Sequence, residues 1–434
     1  IAPYHWGVEY ASTGWSEAAI IVPWNVYVMT GDKEILRDNF EANEHYMQFL
    51  TTKSGGGYQY NGSDPIHGDW VAYVNTDGRY ISVCYYAYVA DLMARTCRAL
   101  SETEGDTYSQ KAEQYEQLFQ NIKTEWQGRY LNSSKVPTQA TQCGYLMALR
   151  YKLLPDDASI NRTRSYLHRA IMNNGYKLNT GFLGTAILNQ TLTENGYNDD
   201  AYTLLLQRND PSWLYSIDQG ATTIWERWNS YTVAKGYGPV SMNSFNHYAY
   251  GVVAEWMFQY MAGITPNEAQ PGFKHFFLPP NPDTRSVLRY SQKRITNTDA
   301  DFASDYGQIR AKWECDGTKE MTYQVTIPAN TSATLRLPTG DGLYIYEGAK
   351  LAEEAEGVQY VGTSEGYATY NVGSGSYIFT VSTEDPTSIK SIDEAASLND
   401  NPKEQIYYSL DGKKLPNDSV HGIIVTEGKK KIVK

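Results

Sequence analysis

The chain has 434 residues, room for about three domains. Basic residues number 37 against 49 acidic ones, a net charge of −12. That balance argues against nucleic acid or an anionic membrane as the partner, since both require a basic face. No stretch reaches the roughly 18 uninterrupted apolar residues of a membrane span, and the nearest runs are broken by Asp91 or Glu255.

The first 265 residues carry helical periodicity. Glu17 to Met29 is apolar on most faces, with Pro23 as a kink, and Lys33 to Leu50 follows with Leu36, Phe40 and Leu50 at helical spacing. Ser82 to Leu100 predicts a long, largely buried helix, whereas Thr107 to Trp126 is more polar with one apolar stripe. Further helices are expected over Gln139–Leu153, Ile160–Met172, Gly181–Thr193, Asp199–Leu206 and Phe245–Met261. Short turns rich in Gly, Asn, Asp and Pro separate them, as in antiparallel helical hairpins. Nine or ten such helices, several apolar on more than one face, predict two concentric layers, an α/α toroid.

The pattern changes after Pro271. Met321–Pro328, Ala333–Pro338, Tyr367–Val372 and Ser376–Val381 alternate, which predicts an antiparallel β-sandwich. Asp385–Lys403 reads as a polar linker. Ile406–Leu410, Gly422–Thr426 and Lys430–Val433 then read as short strands around an Asp411-Gly412 turn. The expected units are therefore 1–265, 266–383 and 384–434.

Cys84, Cys97, Cys143 and Cys315 lack the spacing of a zinc site or disulfide scaffold, so buried thiols are expected. The aromatic residues include 37 Tyr and 10 Trp against 11 Phe. Tyr and Trp offer a flat face and a polar edge, which suits sugar rings and equally suits a tyrosine-built helical core. Phosphate-binding and HExxH signatures are absent from the sequence.

What remains is a set of segments that combine carboxylates, histidine and tryptophan. They are Gly14-Trp15-Ser16-Glu17, His67-Gly68-Asp69-Trp70, the run Gly220 to Trp228, and Asn246-His247-Tyr248. Glycoside hydrolysis uses this inventory: one carboxylate activates water or attacks the anomeric carbon, a second protonates the leaving oxygen, and aromatic faces hold the ring. Each segment has a plain structural reading too, with Asp69 as a helix cap and His247 as a satisfied core or capping side chain. The residues alone leave both open.

Several stretches carry a resemblance: the opening IAPYHWGVEYASTGWSEAAIIVPWNVYVMTGD, then HGDWVAY, TGFLGTAIL, DPSWLYSIDQGATTIWERW and NSFNHYAYGVVAEWMFQYMAG, and PGFKHFFLPP beyond them. From Ile1 through the β-sandwich the chain resembles the α-L-rhamnosidases of glycoside hydrolase family 78. The resemblance implies a mainly α protein, an (α/α)6 barrel followed by a C-terminal antiparallel β-sandwich. It also implies inverting hydrolysis of terminal α-L-rhamnose from glycosides or polysaccharides, with no metal or organic cofactor.

By the same resemblance, Glu226 matches the general base and His247, 21 residues on, a histidine lining the rhamnose pocket. Trp15 and Trp70 match aromatic residues of the sugar site. Asp69, Glu17 and Trp225 sit in or beside the matched motifs and are assigned to binding. The family's general acid lies in a motif upstream of the point where this chain begins, and nothing here matches it. The barrel is thus expected to lack its first helices and to expose apolar surface.

The tail, from Ile406 to Lys434, resembles the sorting-type segments of exported Bacteroidota proteins; an ordinary basic hairpin is its plainer reading. No signal-peptide pattern opens the sequence; the tail, with the scant cysteine and the glycan-directed chemistry, points to export to the periplasm, the cell surface or the medium. Two other functions stay open. One is a non-catalytic rhamnose-binding protein. The other is a different sugar-cleaving enzyme on the same toroid, such as an uronidase, with Arg227 facing a sugar carboxylate.

Overall fold

The computed structural model describes residues 12–59 and 67–384, together with four short strands between 407 and 433. The opening residues before 12 and the linker 385–403 lie outside the described residues, as does the Asp411-Gly412 turn.

The helical half opens with α1 (Ala18–Thr30) and α2 (Glu34–Ser54). Then come α3 (Gly78–Glu104) and α4 (Asp106–Tyr130), a long antiparallel hairpin. Asp77 starts α3 by accepting the Arg79 N–H, satisfying one of the donors that every helix N-terminus leaves open. Helix α3 is buried from Tyr80 to Leu100 on nearly every face, including Cys84 and Cys97. It therefore acts as an inner helix against which α1, α2 and α4 pack. The remaining pairs are α5 (Gln142–Arg150) with α6 (Asp157–Asn173), and α8 (Leu188–Glu194) with α9 (Asn198–Leu205). Thr141 and Asp156 cap α5 and α6 through their side-chain oxygens.

Two stretches differ from the expectation of continuous helices. Gly181–Thr193 divides into α7 (Phe182–Ala186) and α8, because Ile187 leaves helical geometry at φ −114°. Phe245–Met261 becomes a 3-10 turn, a single α-turn α11 (Val253–Trp256) and a π-turn at Met257–Ala262. A short helix not foreseen, α10 (Trp213–Asp218), is capped by Ser212. Helix α1 has an uncovered apolar face, with Val22 56% exposed and Val26 and Met29 also open.

A small hairpin, β1 (Tyr231–Thr232) and β2 (Gly236–Tyr237), precedes the sandwich. One sandwich sheet holds β5 (Asn297–Ser304), β6 (Gly307–Cys315), β7 (Met321–Ile327) and β13 (Gly375–Ser382), edged by β9 (Tyr344–Glu347) and β10 (Lys350–Leu351). The other holds β3 (Thr265–Pro266), β4 (His275–Leu278), β8 (Ser332–Pro338), β12 (Tyr367–Val372) and β11 (Val358–Ser364). Alternation does the packing: Tyr323, Val325 and Ile327 point inward from one sheet, Ala333, Leu335 and Leu337 from the other. All pairs are antiparallel except β4 with β8, which run parallel.

The sandwich core is continuous with the second half of the helical core. Trp313 Nε1 donates to the Met261 carbonyl at 2.7 Å, and the Tyr323 hydroxyl donates to Ala262 at 3.1 Å. All four cysteines are buried and free. No described helix is long and apolar enough to cross a membrane.

Candidate active site

Loops of the helical half, with the starts of α1 and α7, surround a cleft of about 1120 Å³. Its walls are mainly apolar: Trp15, Trp70, Phe182, Leu183, Ile224 and Met242. Glu226, His67, His247 and Tyr248 supply the polar groups, and Glu226 is the one carboxylate among the described lining residues.

Glu226 is held by the strand-like approach of two segments distant in sequence. Its backbone N–H donates to the Ser244 carbonyl at 2.9 Å. The Ser244 N–H returns a bond to Glu226 Oε2 at 2.8 Å. The His247 N–H donates to the Ile224 carbonyl at 2.9 Å, so histidine and carboxylate stand on one paired edge of the cleft. His247 Nδ1 accepts the Ala249 N–H at 3.3 Å, which places the proton of the neutral ring on Nε2 as a donor. Glu226 Oε1 has no hydrogen-bond partner among the described residues. A carboxylate anchored through one oxygen keeps its direction while the other can hold a water.

Phe182 is the hub of the apolar wall. Its ring centroid lies 6.1 Å from Trp15, 4.9 Å from His247 and 5.0 Å from Tyr250. Tyr250 in turn stacks on Trp228 at 3.7 Å, and Trp228 donates to the Thr180 carbonyl. Trp70 stands at the rim with its ring edge against His67, 5.4 Å between centroids.

Of the residues singled out in sequence, Glu226, His247, Trp15 and Trp70 line the cleft together. Glu17, Asp69 and Trp225 do not. Glu17 is fully buried behind the wall, where Oε2 accepts the Gly14 N–H at 2.7 Å and braces the turn that presents Trp15. Asp69 is buried beneath the start of α7, bonded to Gly181 and Gly184. Trp225 packs its ring edge-on against Phe245, 5.2 Å away. His67, Ile224 and Tyr248, which stand in the carboxylate, histidine and tryptophan segments without a role of their own, also line the cleft, as do Phe182 and Met242. His67 and Phe182 lie inside two of the quoted motifs, HGDWVAY and TGFLGTAIL, and their place in those motifs was the available signal.

Burial raises both hidden carboxyls, Asp69 upward against the pull of its two glycine N–H bonds and Glu17 to about 7. For Glu17 the folded state therefore binds the proton more tightly than the unfolded chain, whose carboxyl titrates near 4.5. Its contribution to stability is full below the unfolded value and is lost as pH rises through about 7. Glu17→Gln is accordingly expected to flatten the fall of the urea midpoint over that window. Superimposable pH profiles for the two proteins would contradict this.

No group of three or more His, Cys, Asp or Glu side chains placed to hold a metal ion occurs among the described residues. Residues 1–261 match the family described as bacterial alpha-L-rhamnosidase 6 hairpin glycosidase domain. The chain belongs to the family 78 α-L-rhamnosidases. Residues 263–352 match the C-terminal domain of the same rhamnosidases.

An α-L-rhamnosidase of Formosa agariphila is 34% identical over 337 residues, 76% of this chain and 34% of the relative. One from Streptomyces avermitilis is 33% identical over 387 residues, 88% of this chain and 34% of the relative. The structure of a Streptomyces avermitilis α-L-rhamnosidase complexed with L-rhamnose superposes with a TM-score of 0.76 at 33% identity, over 88% of this chain and 34% of that one. The Aspergillus terreus α-L-rhamnosidase follows at 0.73 and 26% identity, over 87% of this chain and 40% of that one. The chain thus spans about a third of the length of the curated relatives it matches.

Proposed function

We propose that the cleft takes a terminal α-L-rhamnosyl group and that Glu226 deprotonates the water that attacks its anomeric carbon, inverting the configuration. The observation that carries this reading is the anchoring of Glu226 by one oxygen beside a tryptophan-lined wall. Rhamnose is a deoxy sugar, so its C6 methyl gives it an apolar edge, and an apolar wall opposite one polar edge suits it. The rhamnose complex of the Streptomyces avermitilis relative supports the same sugar.

Inversion needs a second carboxyl roughly 6.5–9.5 Å from the base to protonate the leaving oxygen. Neither Glu17 nor Asp69 lines the cleft, and both are engaged with backbone N–H groups behind its wall. In this reading the acid comes from outside the described residues. A binding-only role is the second reading, favoured by the single carboxylate at the cleft.

Trp70→Ala tests the sugar pocket. It is expected to weaken L-rhamnose binding about fivefold or more through lost aromatic packing, read by calorimetry. Unchanged affinity would remove Trp70 from the sugar's surroundings.

A further inference from the structure

Asp69 lies between two walls of the cleft and touches both through backbone. Its Oδ2 accepts the Gly181 N–H at 2.8 Å and its Oδ1 accepts the Gly184 N–H at 2.9 Å, across more than a hundred residues of sequence. The Phe182 N–H answers by donating to the Trp70 carbonyl at 3.1 Å. The Tyr73 and Val74 N–H groups both donate to the Asn179 carbonyl.

The packing between the segments leaves no room for adjustment. A Cβ on Gly181 would stand 2.0 Å from the Trp70 carbonyl oxygen, and one on Gly184 would stand 2.8 Å from Asp69 Oδ2. Both glycines are needed for the carboxylate to reach the backbone. The helix so capped carries Phe182, whose ring touches Trp15 and His247. One buried carboxylate thereby sets the relation between four side chains of the cleft, and it does not line the cleft itself.

We propose that Asp69 is a positioning residue, which locks the Trp70 turn onto the start of α7 so that Trp70 and Phe182 form one rigid face for the sugar. This deepens the rhamnose reading and rests on it. The chemistry favours a carboxylate at this place. An ionised carboxylate accepts from two N–H groups at once, whereas an amide of the same size must point its own N–H₂ at one of them. Asp69→Asn is therefore the discriminating change.

L-rhamnose affinity is measured by calorimetry for the wild-type chain, Asp69→Asn, Trp70→Ala and the double variant. Asp69→Asn is expected to lose about tenfold, as for a lost bond to a charged group. On top of Trp70→Ala it is expected to add less than about threefold, because two residues acting as a unit are not additive. The same tenfold loss in both backgrounds would overturn the proposal, since Asp69 would then act on the sugar by another route. Unchanged affinity with a lowered unfolding temperature would also overturn it.

Should Asp69→Asn not fold, Gly181→Ala keeps the carboxylate and drives a methyl into the Trp70 carbonyl; its affinity loss should likewise shrink in the Trp70→Ala background. Full additivity there, or no loss, counts against the proposal. A wild-type chain that binds no L-rhamnose would overturn the sugar reading instead. The positioning role is then judged without ligand, from Trp70 emission taken as the difference between the parent and Trp70→Ala. Asp69→Asn should shift that emission toward solvent-exposed indole, and an unshifted spectrum overturns the role.

Discussion

Glu226→Gln is expected to slow release of rhamnose from an aryl α-L-rhamnoside by at least about 100-fold, the low end of what a general base contributes. The substitution preserves size and leaves an oxygen to accept the Ser244 N–H that now bonds Oε2 at 2.8 Å. The paired edge that carries His247 should therefore stay in place, and L-rhamnose affinity should change little. What is lost is the basic oxygen that takes the proton of water. An intact affinity with collapsed turnover is the signature of a group that acts in the transition state. A near-wild-type rate would take Glu226 out of the base role and return the cleft to a binding function.

Asp283→Ala should cost about 3–5 kcal/mol of stability, the range for breaking a buried ion pair by removing one partner. Asp283 is fully buried and Arg285 is 1% exposed, joined through Nε at 2.7 Å and Nη2 at 2.8 Å. The same carboxylate accepts the Ile295 N–H, and the Arg285 guanidinium reaches Gln292 and the Thr203 hydroxyl on α9. This knot ties the helical half to the segment that enters β5. Removing the carboxylate leaves a buried guanidinium without its counter-ion, which is why the loss should exceed that of a surface pair several times over. Replacing both residues by apolar ones of similar volume should recover most of it. Urea unfolding reads the difference, and a loss under about 1 kcal/mol would contradict the account.

The parts of the fold that were legible are those with a long local signal. Helices α3 and α4 carry many turns of apolar periodicity, and β7, β8, β12 and β13 alternate cleanly. The strands not foreseen lack that signal. β5, with sequence NTDADFAS, is a polar edge strand whose residues alternate between exposed and half-buried. β4 is four residues long and finds its parallel partner 57 residues away, a pairing no local pattern encodes.

At the cleft, residue types pointed to the right segments without telling front from back. Glu17, Asp69 and Glu226 look alike in sequence, three carboxylates beside tryptophans. Only the chain path places Glu226 at the cleft edge and the other two against backbone N–H groups behind it. Phe182 was hidden for the opposite reason, because a phenylalanine in a helical motif reads as ordinary core.

The most direct test is an NMR time course of this protein with an aryl α-L-rhamnoside, whose activated leaving group needs little help from an acid. β-L-rhamnose is expected as the first-formed sugar, at a rate that Glu226→Gln lowers at least about 100-fold. α-L-rhamnose appearing first, or release that Glu226→Gln leaves near the wild-type rate, would contradict this.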